Sequence, residues 1–260
     1  AARIGEDYAD YINSLTDPEA APQQAAPEPE TAKPAGVQAW SARELSEMVL
    51  PPIRHVVEGL LPMGMGVLVA KPKLGKSWMV LDLCLAVAQG EPFLGFPTQQ
   101  HGTLYLALED GKSRMQTRLR RLLEGRPAPA NMHVMFQAQR LGEGLLETLG
   151  EYLDANPDIH LVCIDTLSKI KPKAKPFENA YDADYDYMGR LKAFADSRGI
   201  CVLLVHHTRK SKNPEDSFDN INGSTGILGA ADFTIVLDKQ SRMDDEAGFL
   251  LTGRDIEQCE

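Results

Sequence analysis

The sequence predicts an α/β fold in which a mainly parallel central sheet is flanked by helices and completed by late antiparallel strands. Three observations predict it. Short apolar runs of strand length alternate with longer segments of helical period over most of the 260 residues, a pattern that buries a parallel sheet beneath helices on both faces. The first of these runs passes into its helix through a basic turn, Ala70-Lys-Pro-Lys-Leu-Gly75-Lys76-Ser77. Several later runs end on a carboxylate or an imidazole, at the strand ends where ligands gather in open α/β sheets.

Residues 1–40 form an acidic, Pro/Ala-rich amino-terminal segment. Residues 17–39 are rich in Pro, Ala, Gln and Glu, which bury too little apolar area to offset the entropy of ordering, so they read as a flexible linker. Ahead of them, Asp7 to Leu15 reads as a short helix suited to docking on a partner or neighbour. The folded domain is expected over residues 41–260. It opens with a capping box, Ser41-Ala-Arg-Glu44, on a helix that must end before Pro51 and Pro52. Strand and helix then alternate: Val67 to Val69 and Trp78 to Gln89; Thr103 to Ala107 and Lys112 to Glu124; His133 to Phe136 and Glu143 to Ala155; Leu161 to Ile164 and a helix over 184–198; then the strand Cys201 to Val205. Phe233 to Leu237 and Phe249 to Leu251 have no helix between them and read as an antiparallel continuation. The chain stops soon after this last motif, which leaves room for a further carboxyl-terminal segment.

The turn at 70–77 matches the phosphate-binding pattern G-x-x-x-x-G-K-[ST] except at its first glycine, where Ala70 stands. A methyl group there costs little unless the backbone needs a positive φ. Gly75 lets the backbone pass close to phosphates, while amides of the loop and first helical turn donate to anionic oxygens at the positive end of the helix dipole. Ala70, Lys71, Pro72, Lys73, Leu74, Gly75, Lys76, Ser77 and Trp78 are thus the expected nucleotide cradle. ATP with Mg2+ is the implied ligand: Lys76 would lie between the β- and γ-phosphates, and Ser77 would give a hard oxygen to the metal. A merely solvated basic turn is the competing explanation, and the G-K-S triplet between strand and helix outweighs it. Lys71 falls where ParA and MinD-type ATPases carry a signature lysine, which keeps a dimeric partition or positioning switch as the alternative.

His160-Leu-Val-Cys-Ile-Asp165 is an apolar strand closed by a carboxylate, and Asp165 is the candidate to hold magnesium through water. Thr103-Leu-Tyr-Leu-Ala-Leu-Glu109-Asp110 ends in two acids. Glu109 is the candidate to orient and deprotonate an attacking water, and Asp110 is expected to cap the following helix. Cys201-Val-Leu-Leu-Val-His206-His207 carries two histidines off a buried strand, either of which would reach a γ-phosphate. Gly253-Arg254-Asp255 closes the last strand. Arg254 serves either as an arginine finger across a subunit boundary or as half of a surface ion pair with Asp255.

A formal charge of −10, half of it in the first 40 residues, argues against bulk coating of nucleic acid but leaves room for a local basic channel. Cys84, Cys163, Cys201 and Cys259 have no metal-ligand spacing, and the first three read as buried thiols of a reducing cytoplasm. No apolar stretch reaches membrane-spanning length and no signal-peptide pattern opens the chain, so no membrane association is expected.

AKPKLGKS, LYLALED, LVCID, LLVHHTRKS, NGSTGILGAAD and LLTGRD together resemble the RecA-fold P-loop ATPases of the RepA type, over roughly residues 50–256. That resemblance implies a RecA-like P-loop NTPase of a ring-forming, hexameric replicative helicase family, with relatives in phages and mobile elements. It assigns Lys76 and Ser77 to Walker A, Glu109 to the catalytic glutamate, Asp165 to Walker B, His207 to the γ-phosphate sensor and Arg254 to the arginine-finger strand. Single-stranded DNA is the implied partner, contacted by Lys169 to Lys175 and Thr208 to Asn222. A replication protein is the implied partner of the amino-terminal segment.

Overall fold

The computed structural model describes residues 39–50, 52–173, 180–207, 225–239 and 246–254. Most of the linker, the segment Asp7 to Leu15, Ala174, Lys175, Thr208 to Asn222, Asp255 and Cys259 lie outside the described residues. By internal contacts the chain divides into two units, 1–50 and 51–260. In the first, α1 (Ala42–Glu47) carries the expected capping box: Glu44 N–H donates to Ser41 Oγ at 3.1 Å, and Ser41 N–H donates to the Glu44 carboxylate at 2.8 Å.

The second unit begins with a hairpin that the sequence pattern did not announce, β1 (His55–Val57) with β2 (Leu61–Pro62). There follow β3 (Gly64–Ala70), α2 (Lys76–Gln89), β4 (Gly102–Ala107), α3 (Lys112–Leu123), β5 (Met132–Met135), α4 (Leu145–Ala155), β6 (Ile159–Asp165), α5 (Leu167–Ile170), α6 (Ala180–Arg198), β7 (Cys201–His207), α7 (Thr225–Ala230), β8 (Phe233–Asp238) and β9 (Gly248–Gly253). Seven strands make one sheet in the order β5-β4-β6-β7-β3-β8-β9. All adjacent pairs are parallel except β8 with β9. Only the last strand therefore reverses. β8, expected to be antiparallel, lies parallel to β3 because α7 precedes it and returns the chain to the starting edge of the sheet.

Two apolar layers enclose the sheet. Val67, Leu106, Ile164 and Leu204 face α4, α5, α6 and α7, whereas Leu68, Tyr105, Cys163 and Leu203 face α2, α3 and the hairpin. Strand side chains alternate between faces, so the near-continuous burial of β3, β4 and β7 follows from helices on both sides. Gly66 is fixed by packing: a Cβ there would lie 2.1 Å from the Phe233 ring. Cys84, Cys163 and Cys201 are buried, and burial raises the Cys163 and Cys201 thiols well above their ordinary range. Among the described residues no helix is long and apolar enough to cross a membrane.

The register aligns the carboxyl ends of the central strands. Ala107 lies opposite Asp165, and Ala70 lies between His207 and Leu237.

Candidate active site

The phosphate-binding turn joins β3 to α2. Ala70 ends its strand buried and without a positive φ, so the methyl group in place of glycine is accommodated. The left-handed conformations fall at Lys73 (φ 67°) and at Gly75 (φ 90°), which forms the helix N-cap. Gly75 carries no side-chain cap, and the amides of Gly75, Lys76 and Ser77 donate to no backbone carbonyl among the described residues. These are the orphan donors of a helix start, available to an anionic oxygen. Lys76 is 4% exposed, and its ammonium donates to the carbonyls of Ala70 and Lys71, both at 2.8 Å. Burial lowers its pKa to about 8, against the opposing pull of Asp165 and Glu109.

Asp165 is 5% exposed at the end of β6. Its Oδ2 accepts from Ser77 Oγ at 2.6 Å and from Tyr105 Oη at 2.9 Å. The two hard oxygen donors expected for magnesium thus sit side by side, a set that fits the metal. Burial, then the Asp165 charge and hydrogen bond, raise the Tyr105 phenol above its ordinary range, so it stays a donor. Tyr105 was missed in the sequence. The available signal was a single polar-tipped aromatic in an otherwise aliphatic strand, because a buried phenol requires a partner.

Glu109 leaves the end of β4 on a turn tied to β6 by Leu108 N–H donating to Asp165 O at 2.8 Å. Its carboxylate is half exposed, and its Oε2 lies 3.6 Å from His207 Nε2. This is longer than a hydrogen bond but close enough for both groups to address one ligand atom. His207 Nδ1 is buried and takes no hydrogen bond among the described residues. Strand alternation separates the two histidines: His207 follows Cys201, Leu203 and Val205 on the α2 face, and His206 follows Val202 and Leu204 on the α6 face. Only His207 is brought to Glu109.

Asp110 does not cap α3 as expected. Gly111 is the N-cap, and the Asp110 carboxylate, 8% exposed, accepts from Arg114 at 2.8 Å and from Arg118. Lys71 forms an exposed ion pair with Asp238, 2.7 Å away at the end of β8. Pro72 and Lys73 are exposed and Leu74 is partly buried. Trp78 points to α3, where Arg118 and Arg121 lie over its ring. In the expected DNA-contacting run, Lys171 is held by Asp184 at 3.0 Å, whereas Lys169 and Lys173 are exposed.

Arg254 lies elsewhere. Because β9 is antiparallel, its carboxyl end meets the amino end of β8: Gly253 pairs with Phe233, and Arg254 N–H donates to Asp232 O at 3.0 Å. The phosphate turn is at the other end, where Gly248 pairs with Asp238. At about 3.4 Å per residue the length of β9 separates Arg254 from that end by roughly 17 Å, so it is not part of its own chain's cradle.

A family model described as an AAA domain (AAA_25) matches residues 31–213. No curated protein matches the chain in sequence. Among solved structures, one of an isolated ATPase domain is similar with a TM-score of 0.59 at 14% identity, over 76% of this chain and 79% of that one. A structure of a DnaB-like replicative helicase and its interactions with primase is similar with a TM-score of 0.61 at 16% identity. That match covers 84% of this chain but only 62% of the helicase chain. At such identities the likeness shows the fold: a RecA-like P-loop ATPase architecture with a mixed sheet.

Proposed function

The chain belongs to the AAA domain family, and on that footing we propose that it is an ATP-hydrolysing, ring-forming DNA helicase or DNA-dependent ATPase of the RepA type, acting in plasmid, phage or mobile-element replication. One observation carries the reading: Lys76, Ser77, Asp165, Glu109 and His207 come together at the carboxyl ends of β3, β4, β6 and β7, although they lie up to 131 residues apart in sequence.

The amides of residues 75–77 and the Lys76 ammonium hold the phosphate chain, the lysine exchanging its bonds to the Ala70 and Lys71 carbonyls for phosphate oxygens. Ser77 Oγ and Asp165 Oδ2 are the groups to hold Mg2+, which when bound neutralises charge on the phosphates. Glu109 orients the attacking water and takes its proton at a carboxylate oxygen. His207 Nε2, 3.6 Å from that carboxylate, donates to the terminal phosphate and registers its presence. Arg254, remote from its own cradle, is assigned to a neighbouring copy's site, which supports a ring. Lys169 and Lys173, exposed beyond the Walker B strand, are assigned to DNA phosphates. By analogy with the DnaB-like neighbour, a replication protein is the proposed partner of the amino-terminal segment.

The test is ATP turnover with and without single-stranded DNA over a series of salt concentrations. Stimulation that weakens as salt rises is expected, with Lys76→Ala inactive and Glu109→Gln binding ATP without cleaving it. Equal turnover with and without DNA refutes the DNA-dependent part. A two-subunit rather than six-subunit mass in ATP would move the assignment to a partition-type switch.

A further inference from the structure

One cluster beside the cradle has no part in the phosphate chemistry. Trp78 follows Ser77 directly, and the ~100° step between helical neighbours carries its indole away from Asp165 and toward α3. There the guanidinium carbons of Arg118 and Arg121 lie 5.3 and 5.6 Å from the ring centroid, within cation–π range. Arg118 is held in place by Asp110, the residue beside Glu109, and the same carboxylate also takes Arg114. The second acid of the LED motif thus braces the arginine that covers the tryptophan. An open cleft of about 440 Å³ adjoins them, lined by Trp78, Arg121, Leu122 and Glu124, a size within the range of small-ligand sites.

Packing alone explains this arrangement poorly. An aromatic ring filling the gap between two helices is ordinarily met by aliphatic side chains, whereas here two guanidinium planes and a solvent-filled cleft meet it. Indole and guanidinium planes are the surfaces on which nucleobases stack. The cleft opens one residue past the phosphate cradle, on the side away from the metal-binding oxygens.

We propose that this cleft holds the nucleobase of the bound nucleotide, stacked on Trp78 and Arg121, with Asp110 and Arg118 as positioning residues. The inference rests on the cradle binding a nucleoside polyphosphate, as set out under the proposed function.

Trp40 and Trp78 are the only tryptophans, so the full chain carrying Trp40→Phe reports on Trp78 alone. ADP should quench its fluorescence, whereas inorganic pyrophosphate, which fills the cradle without a base, should compete with ADP yet leave the emission unchanged. In calorimetry, Trp78→Ala should weaken ADP by about 5- to 150-fold, the range of one base–aromatic stack, with pyrophosphate affinity preserved. Arg121→Ala, at an exposed side chain, should act in the same direction without endangering the fold. An equal loss for both ligands in Trp78→Ala would make the tryptophan a support of the phosphate turn and overturn the proposal. So would unchanged ADP affinity in both variants. If the parent binds neither ligand, the cradle reading fails and takes this inference with it.

Discussion

Tyr105→Phe removes a single hydroxyl from the middle of the sheet, and its effect can be worked out from three contacts. Tyr105 has no exposed surface, and its hydroxyl has one acceptor, Asp165 Oδ2 at 2.9 Å. The same oxygen accepts from Ser77 at 2.6 Å, and Asp165 is itself 5% exposed. Water therefore has little access to replace the lost donor. A hydrogen bond to a charged group contributes about 1.5–3 kcal/mol net, and the ring shape is kept, so no cavity term adds to it. In a domain of this size each kcal/mol moves the melting temperature by about 2–4 °C, which gives a fall of roughly 3–12 °C. Urea unfolding of the parent, Tyr105→Phe, Asp165→Asn and the double variant isolates the pair. The coupling energy should be about 1.5–3 kcal/mol with unchanged denaturant slopes. Additive effects, within about 0.5 kcal/mol, would show that the phenol does no more than fill space, and the hydrogen bond would lose its role in orienting Asp165.

Lys71→Ala breaks only the exposed pair with Asp238; stability should fall by less than about 1 kcal/mol and ATP turnover should persist, whereas a partition-type dimer that uses this lysine in catalysis would lose activity. The basic run after the Walker B strand should divide by burial. Lys171→Ala strips the partly buried Asp184 of its ammonium partner and should cost about 1–3 kcal/mol in urea melts. Lys169→Ala and Lys173→Ala, at exposed positions, should leave the melts unchanged and each lower the salt slope of DNA binding by about 1. The reverse pattern would remove this run from the DNA path.

The sheet was legible in the sequence because its strands are buried on both faces, and continuous apolar runs such as Leu161 to Ile164 mark such strands directly. The phosphate turn was legible because its chemistry is local: eight consecutive residues carry the donors, the left-handed turn and the lysine. What escaped is what depends on distant partners. The β1–β2 hairpin is too short for any period to show. Asp110 stands where an N-cap is expected, yet two arginines one and two turns along α3 draw its carboxylate away from the backbone. Tyr105 looks like a core aromatic until β6 brings Asp165 beside it. For Arg254 the motif was visible, but its place was not, because direction along the sheet decides it and β9 alone is reversed.

Register also assigns the paired histidines, and His206 offers the sharper test of that assignment. It faces α6, where burial lowers its pKa to about 4, with the Lys171 ammonium, His207 and Lys76 pushing the same way and the Asp184 carboxylate opposing. Its unfolded value is near 6.5. Between about pH 4 and 6.5 the unfolded chain therefore binds a proton that the folded chain refuses, so stability rises with pH across this window and is lost as pH falls through it. A depression of this size corresponds to about 3 kcal/mol at most. His206→Gln keeps a polar side chain but removes the titration. Urea midpoints at pH 7, 6, 5 and 4 should show the parent losing stability more steeply than the variant, with the difference growing below pH 6.5. Parallel curves would mean that His206 is not held neutral against Lys171, and the division of the two histidines between the α6 face and the phosphate site would have to be abandoned.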